Sequence, residues 1–273
     1  MEAASRLVNT LLPLIYALTL TAYAADFFRE DPFARRAARR LMELTLLLHA
    51  AHLALRTALH DHVPLAAPPE MATTVAFAVS LVYLVVERRT GTTRTGVFVV
   101  SFSLAAQTLS SAFLEPAVHF PALLRSPLFA VHTLAAVVGY AAFALSAVYG
   151  VLYLLLHHDL KRSRFGLVYD RLPPLEVLAH MSLRSVVVGL LALTVTIACG
   201  SLWASSRFPG FTHDPKFLLT LGVWAVYGAA LGLHWGRGWS GRRTIAMSLV
   251  AFGLLLFSML AGRLLFASFH AFA

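Results

Sequence analysis

The sequence predicts an all-α fold, a polytopic bundle of transmembrane helices. Of its 273 residues, 59% are hydrophobic and only 13% are charged, about half the charged fraction of an ordinary soluble domain. Eight apolar stretches each approach the roughly 20 residues that a helix needs to cross a bilayer. Because a helix satisfies its own backbone hydrogen bonds within hydrocarbon, these stretches indicate membrane-spanning helices.

The eight predicted spans follow one another with short polar loops between them. Their approximate ranges are 8–28, 41–60, 69–87, 96–114, 127–157, 185–204, 217–236 and 243–268. The fifth is long enough for its helix to extend beyond the membrane on one side. In the seventh, Gly228, Gly232 and Gly236 recur every four residues, which predicts the close approach of another helix. We expect a single membrane domain over 1–273, with four variable helices in 1–126.

The basic residues predict the orientation of the chain. Four loops, 29–40, 87–95, 157–184 and 236–243, contain 16 of the 22 lysines and arginines. Positively charged loops stay in the cytoplasm, so both termini and the 203–216 loop are expected outside, in the periplasm of a Gram-negative cell. The net charge of +9 therefore reflects the orientation of the chain and contact of its basic loops with anionic lipid, not nucleic-acid binding. We expect the protein in the inner (plasma) membrane.

The sequence carries few motifs of soluble enzymes. Its one cysteine, Cys199, excludes an internal disulfide and a Cys-x-x-Cys-His site for covalent haem attachment. No hydrolase, zinc-protease or nucleotide-binding motif is present. Any haem bound here would be held by coordination alone.

Three polar side chains share one face of the second predicted span. His49, His52 and Arg56 are spaced i, i+3 and i+7, which places them on one side of a helix. Imidazole to iron and guanidinium to a propionate would suit a haem site. The same stripe suits a proton or ion path, or hydrogen bonding to neighbouring helices. These three interpretations remain open from the residues alone.

Two more histidines are predicted at the outer face. His132 opens the fifth span and His270 closes the eighth, so helices of opposite direction bring both to one side of the membrane. Two neutral imidazoles from different helices are what bis-histidine haem ligation requires. An isolated interfacial histidine more often forms a hydrogen bond with lipid headgroups.

The external loop at 203–216 offers aromatic and polar groups. Trp203, Phe208 and Phe211 could pack on a porphyrin, although Trp203 also suits an interfacial aromatic belt. His213 adds an imidazole to the loop. Asp214 followed by Pro215 predicts a helix start, with the aspartate as N-cap.

The ordered set of these motifs resembles the cytochrome c assembly protein family, the haem-handling membrane proteins with a tryptophan-rich "WWD" external loop. The resemblance covers about residues 127–273, whereas the first four spans match only in number and direction. The stretches that carry it are His132-Thr-Leu-Ala-Ala-Val-Val-Gly-Tyr-Ala-Ala-Phe143, Gly200-Ser-Leu-Trp-Ala204, Asp214-Pro-Lys216, Trp224-Ala-Val-Tyr227 with His234, Gly238-Trp-Ser-Gly-Arg-Arg243 and Phe269-His-Ala-Phe272.

The resemblance implies a haem-handling core over 127–273 that binds haem b without a covalent bond. It implies that His132 and His270 are axial ligands of a haem held against the external loop. His234 matches the histidine of a membrane-embedded haem site that some members have, and His49 suits its partner better than His52 by depth in the membrane.

The loop departs from the family pattern. Phe211 and His213 stand near where the family has tryptophan, and Phe217 replaces the usual glutamate. This chain therefore resembles the HemX-type branch more than a CcsA-type cytochrome c synthase. We expect a haem-binding assembly factor that serves a cytochrome c maturation partner or a haem-biosynthesis enzyme. The alternatives are a proton- or ion-coupled transporter using the His49–His52–Arg56 stripe and a haem-free structural or regulatory membrane partner.

Overall fold

A computed structural model describes residues 2–60, 63–65, 67–113, 126–163, 165–208 and 210–264. Across these ranges the secondary structure is helical and contains no strand, which confirms the predicted all-α class. The helices are α1 (Glu2–Arg29), α2 (Pro32–His60), α3 (Pro68–Thr90), α4 (Gly96–Phe113), α5 (Pro127–Lys161), α6 (Leu167–Arg171), α7 (Leu175–Ser205), α8 (Pro215–Arg237) and α9 (Gly241–Leu264), with a 3-10 turn at Phe211–His213.

The chain is a multi-pass membrane protein. Seven helices in the described ranges are long and apolar enough to cross a bilayer, and each overlaps one predicted span. The second predicted span, 41–60, corresponds to α2, which has 29 residues but is not among the seven. Its two histidines and Arg56 lower the hydropathy of a helix that is otherwise long enough. The predicted number of eight spans is therefore approximate.

Local sequence signals set several helix ends. Asp214 caps α8, since its carboxylate accepts hydrogen bonds from the amides of Lys216 at 2.9 Å and Phe217 at 3.1 Å. This confirms the predicted N-cap followed by proline. Gly91 after α3 and Gly238 after α8 adopt φ values of 71° and 61°, a left-handed conformation that glycine adopts at little cost.

The described residues fall into two compact units. Unit 1 lies within Met1–Phe120 and Asp159–Pro173, and unit 2 lies within Pro121–His158 and Pro174–Ala273. The single membrane domain over 1–273 stays a prediction.

Unit 1 has a polar interior. It contains 16 of the 23 buried polar or charged residues among the described part of the chain. Apolar side chains such as Leu12, Met42 and Val79 are fully buried between them. Buried polar groups in a membrane protein are costly and need partners. Unit 1 therefore depends on hydrogen bonds between its helices as well as on apolar packing.

Unit 2 has an apolar interior that joins α5, α7, α8 and α9. The rings of Phe143 and Tyr227 stack with centroids 3.9 Å apart and planes 8° apart. A Cβ at Gly189 would lie 2.5 Å from Phe143 Cε1, so glycine allows that ring to lie directly on α7. Val186 and Leu193 complete the buried cluster on α7.

The glycine stripe on α8 does not pack as predicted. In the described part of the chain no atom lies within 4 Å of a Cβ built at Gly228, Gly232 or Gly236. The expected close helix approach is therefore wrong for these residues. Instead, α8 packs through the opposite side of the helix, where Val223 and Tyr227 are buried, because large apolar side chains bury more surface there.

Candidate functional site

The His132 ring is held against the backbone of α7. Its Nδ1 lies 2.8 Å from the carbonyl oxygen of Thr196. Because a carbonyl can only accept a hydrogen bond, Nδ1 must carry the hydrogen, and the lone pair of the neutral ring is then on Nε2. This is the arrangement of most metal-binding histidines, in which one nitrogen is anchored and the other is available to the metal.

Gly200 makes this ring position possible. A Cβ at Gly200 would lie 2.7 Å from His132 Nδ1 and 2.8 Å from Cε1, distances at which a side chain clashes. Sequence reasoning missed this role. The available signal was a glycine inside a helix, where it costs helix stability and so calls for a packing reason.

An aromatic cluster of unit 2 adjoins His132 through Phe129. Phe129 lies 5.9 Å from the His132 ring and 5.2 Å from the Trp203 ring, measured between centroids. Phe208 lies 5.5 Å from the Trp203 ring. Trp203 is 4% exposed, so it lies inside unit 2 and not on an outward-facing belt. The structure thus brings together three of the predicted residues, His132, Trp203 and Phe208, and adds Phe129.

The remaining residues of the external loop are placed differently. Phe211 packs edge-on against Phe217 at 5.5 Å, and the His213 side chain is exposed. Asp214 is buried and caps α8. These positions identify Asp214 as a structural residue of the loop, whatever else it binds.

His270 lies outside the described residues, so its role as the second outer ligand stays a prediction. The predicted position of His270 at the same membrane face as His132 also stays a prediction.

His234, in the last turn of α8, is held in the same way as His132. Its Nδ1 lies 2.9 Å from the carbonyl oxygen of Trp239 and 3.3 Å from Thr244 Oγ1. The carbonyl fixes the hydrogen on Nδ1, so Nε2 carries the lone pair. His234 is therefore also oriented as a histidine that can bind a metal through Nε2.

The polar stripe on α2 lies in the interior of unit 1. The two ring nitrogens of His49 lie 3.0 Å from the Tyr16 hydroxyl and 2.8 Å from Thr73 Oγ1. Arg56 forms a buried ion pair with Glu70 at 2.8 Å. The neighbouring helices α1 and α3 thus supply partners for His49 and Arg56, as one of the three interpretations predicted. His52 is fully buried, and its ring nitrogens have no hydrogen-bond partner among the described residues.

Comparison with known proteins identifies the family. The sequence model described as Cytochrome C assembly protein matches residues 11–270. The chain belongs to the cytochrome c assembly protein family. The match includes the first four helices, for which the sequence motifs gave only their number and direction.

Members of two kinds are similar to this chain. A "Cytochrome c biogenesis protein CcsA" from Synechococcus sp. (strain CC9605) is 28% identical over 94% of this chain and 93% of that protein. One from Parasynechococcus marenigrum (strain WH8102) is 29% identical over the same shares. "Protein HemX" from Bacillus subtilis (strain 168) is 26% identical over 95% of both chains. The similar values leave the assignment to one branch as a prediction.

Proposed function

We propose that this member of the cytochrome c assembly protein family is a haem-handling membrane protein. It binds haem b without a covalent bond and acts in cytochrome c maturation or in the control of haem supply. The family and the names of its CcsA and HemX relatives support the general role. The residues of unit 2 support the site.

The observation that carries the proposal is the orientation of His132. Its Nδ1–H is donated to the Thr196 carbonyl at 2.8 Å, which holds the ring and leaves the Nε2 lone pair for iron. A hydrogen bond from the far ring nitrogen to a carbonyl raises the basicity of a ligating imidazole. His270 is the proposed second axial ligand, since bis-histidine ligation needs an imidazole from another helix.

The surroundings of His132 fit a porphyrin better than a bare metal ion. Phe129, Trp203 and Phe208 form a continuous aromatic cluster, and aromatic rings pack well on a flat conjugated macrocycle. The Arg207 guanidinium lies 5.4 Å from the Trp203 ring centroid, where it could pair with a propionate.

The chemistry of the bound group itself is that of iron protoporphyrin, whose vinyl groups are the points of covalent attachment in c-type cytochromes. The residues of this chain hold and orient the group and limit access of water to it. Phe211, His213 and Asp214 would cover the site from the loop. The chain would then present haem to a maturation partner or withhold it.

A second haem site at His234 is supported by the same Nδ1 anchoring. Both ring nitrogens of His49 already have hydrogen-bond partners, so iron ligation there would require breaking one of those bonds. The proton-path alternative for the α2 stripe has no observation that favours it over hydrogen bonding within unit 1.

Absorbance of the purified protein tests the proposal. Protein from haem-replete cells should show the Soret and α bands of six-coordinate, bis-histidine haem. His132→Ala and His270→Ala should each lower the haem content several-fold. The exposed His180, on the predicted cytoplasmic side, provides the control His180→Ala, which should keep the wild-type spectrum. Haem-free wild-type protein, or a full spectrum in His132→Ala, would refute the proposed site.

A further inference from the structure

A basic pocket lies at the turn between α8 and α9. It has a volume of about 940 Å³ and is lined by Arg237, Gly238, Trp239, Ser240, Arg242, Arg243 and Ala246. Three of these seven residues are arginines and none is acidic. The proposed haem site at His132 uses none of them.

The turn that forms the pocket is held by hydrogen bonds. The amides of Gly238 and Trp239 both donate to the carbonyl of Leu233. The His234 ring donates to the Trp239 carbonyl at 2.9 Å, and the amide of Arg243 donates to the Ser240 carbonyl at 3.0 Å. These bonds order the backbone of the turn, so the arginine side chains extend from fixed backbone positions.

The three arginines of this pocket have no acidic partner among the described residues. Within the described ranges no carboxylate lies within 4.0 Å of Arg237, Arg242 or Arg243. Three arginines of unit 1 on the same predicted side of the membrane do have acidic partners. Those pairs are Arg35–Asp26 at 3.0 Å, Arg39–Glu87 at 3.0 Å and Arg88–Glu43 at 2.7 Å.

Three unpaired guanidinium groups around one pocket favour an anion. Guanidinium matches phosphate oxygens in pairs, which gives both geometry and binding energy. The Arg243 guanidinium also lies 6.0 Å from the Trp239 ring centroid, a contact that positions it. A phosphate group is therefore the chemistry that fits the pocket.

The position of the pocket indicates where the phosphate comes from. The turn joins two membrane-spanning helices, so the pocket lies at the level of lipid headgroups on the predicted cytoplasmic side. Arginine clusters between such helices bind acidic headgroups on that side. We propose that the pocket formed by Arg237, Arg242, Arg243 and Trp239 is a specific site for the phosphate of an anionic phospholipid.

Lipid binding to the full-length protein in neutral detergent tests this inference. Phosphatidylglycerol and phosphatidylcholine would be titrated while the bound fraction is followed by native mass spectrometry. We expect retention of phosphatidylglycerol and at least tenfold weaker binding in the double variant Arg242→Gln/Arg243→Gln. Phosphatidylcholine should bind weakly to both proteins.

The matched control removes the same charge elsewhere. Arg36→Gln/Arg40→Gln changes two exposed arginines of α2 on the same predicted side of the membrane. It should bind phosphatidylglycerol like the wild type, and both double variants should melt at the wild-type temperature. Equal binding by the pocket variant and the wild type, or equal loss in both double variants, would overturn a specific site.

A soluble phosphate source is distinguished by competition. Inorganic pyrophosphate at millimolar concentration should displace phosphatidylglycerol from the wild type if the arginines recognise the phosphate group. Pyrophosphate binding that depends on Arg242 and Arg243, with no retention of phosphatidylglycerol, would support the phosphate chemistry and overturn the lipid as its source. Retention of phosphatidylglycerol that pyrophosphate does not reduce would overturn recognition through the phosphate.

Discussion

His132 and His234 share an atomic arrangement although they lie on different helices. In each, Nδ1 is bonded to a backbone carbonyl, of Thr196 at 2.8 Å and of Trp239 at 2.9 Å respectively. A backbone acceptor fixes both the tautomer and the plane of the ring without adding charge. His49 differs because both of its nitrogens have hydrogen-bond partners. Ring orientation therefore separates two candidate ligands from a buried histidine that joins helices.

Gly200→Ala should displace His132 from its position. The new methyl group would lie 2.7 Å from the present site of Nδ1, so the ring must move and the bond to Thr196 must lengthen or break. We expect the haem content of the purified variant to fall several-fold, measured by absorbance.

The control for this change is Gly222→Ala on α8. In the described part of the chain nothing lies within 4 Å of a Cβ at Gly222, and alanine has the higher helix propensity. This variant should keep the wild-type haem content. If Gly200→Ala also keeps it, the contact between the two residues does not position the ligand.

The helices were predictable from the sequence because length and hydropathy determine them. Each predicted span has a helix, and the Asp214–Pro215 helix start was predicted residue by residue. The partners of individual residues were not predictable, because they depend on which helices pack together. The role of Gly200 was missed for that reason. The stripe Gly228–Gly232–Gly236 was wrongly predicted to pack closely, because the spacing of the glycines does not tell which side of α8 another helix covers.

The buried ion pair between α2 and α3 should matter far more than an exposed one. Arg56 and Glu70 are 4% and 0% exposed, so Glu70→Ala leaves a buried charge and should destabilise the protein by about 3–5 kcal/mol. The control Glu43→Ala breaks the exposed pair with Arg88 and should cost about 0–1 kcal/mol. Thermal unfolding in detergent measures both, and equal costs would contradict the importance of the polar interior of unit 1.

At the scale of the whole molecule, the two units differ in chemistry. Unit 1 buries most of the polar side chains, whereas unit 2 buries an apolar cluster and holds His132 and His234. Family membership applies to nearly the whole chain, since residues 11–270 match the family. The resemblance found from motifs in 127–273 therefore extends to a first half whose motifs were not recognised.

The orientation in the membrane remains a prediction from charge and can be tested with single cysteines. In a Cys199→Ser background, Thr212→Cys and Gly166→Cys place one thiol at exposed positions on opposite predicted sides. A membrane-impermeant maleimide should label Thr212→Cys in intact cells and Gly166→Cys only after permeabilisation. The reverse pattern would place the aromatic cluster at the cytoplasmic face and contradict an external haem site.

Rescue of His132→Gly by free imidazole tests the central claim most directly, because it replaces only the ligating ring. The glycine variant should lose the bis-histidine haem spectrum, and millimolar imidazole added during haem loading should restore it. The control His180→Gly should bind haem normally with or without imidazole. A variant that keeps the spectrum without imidazole, or that stays haem-free when imidazole is present, would contradict the assignment of His132 as an iron ligand.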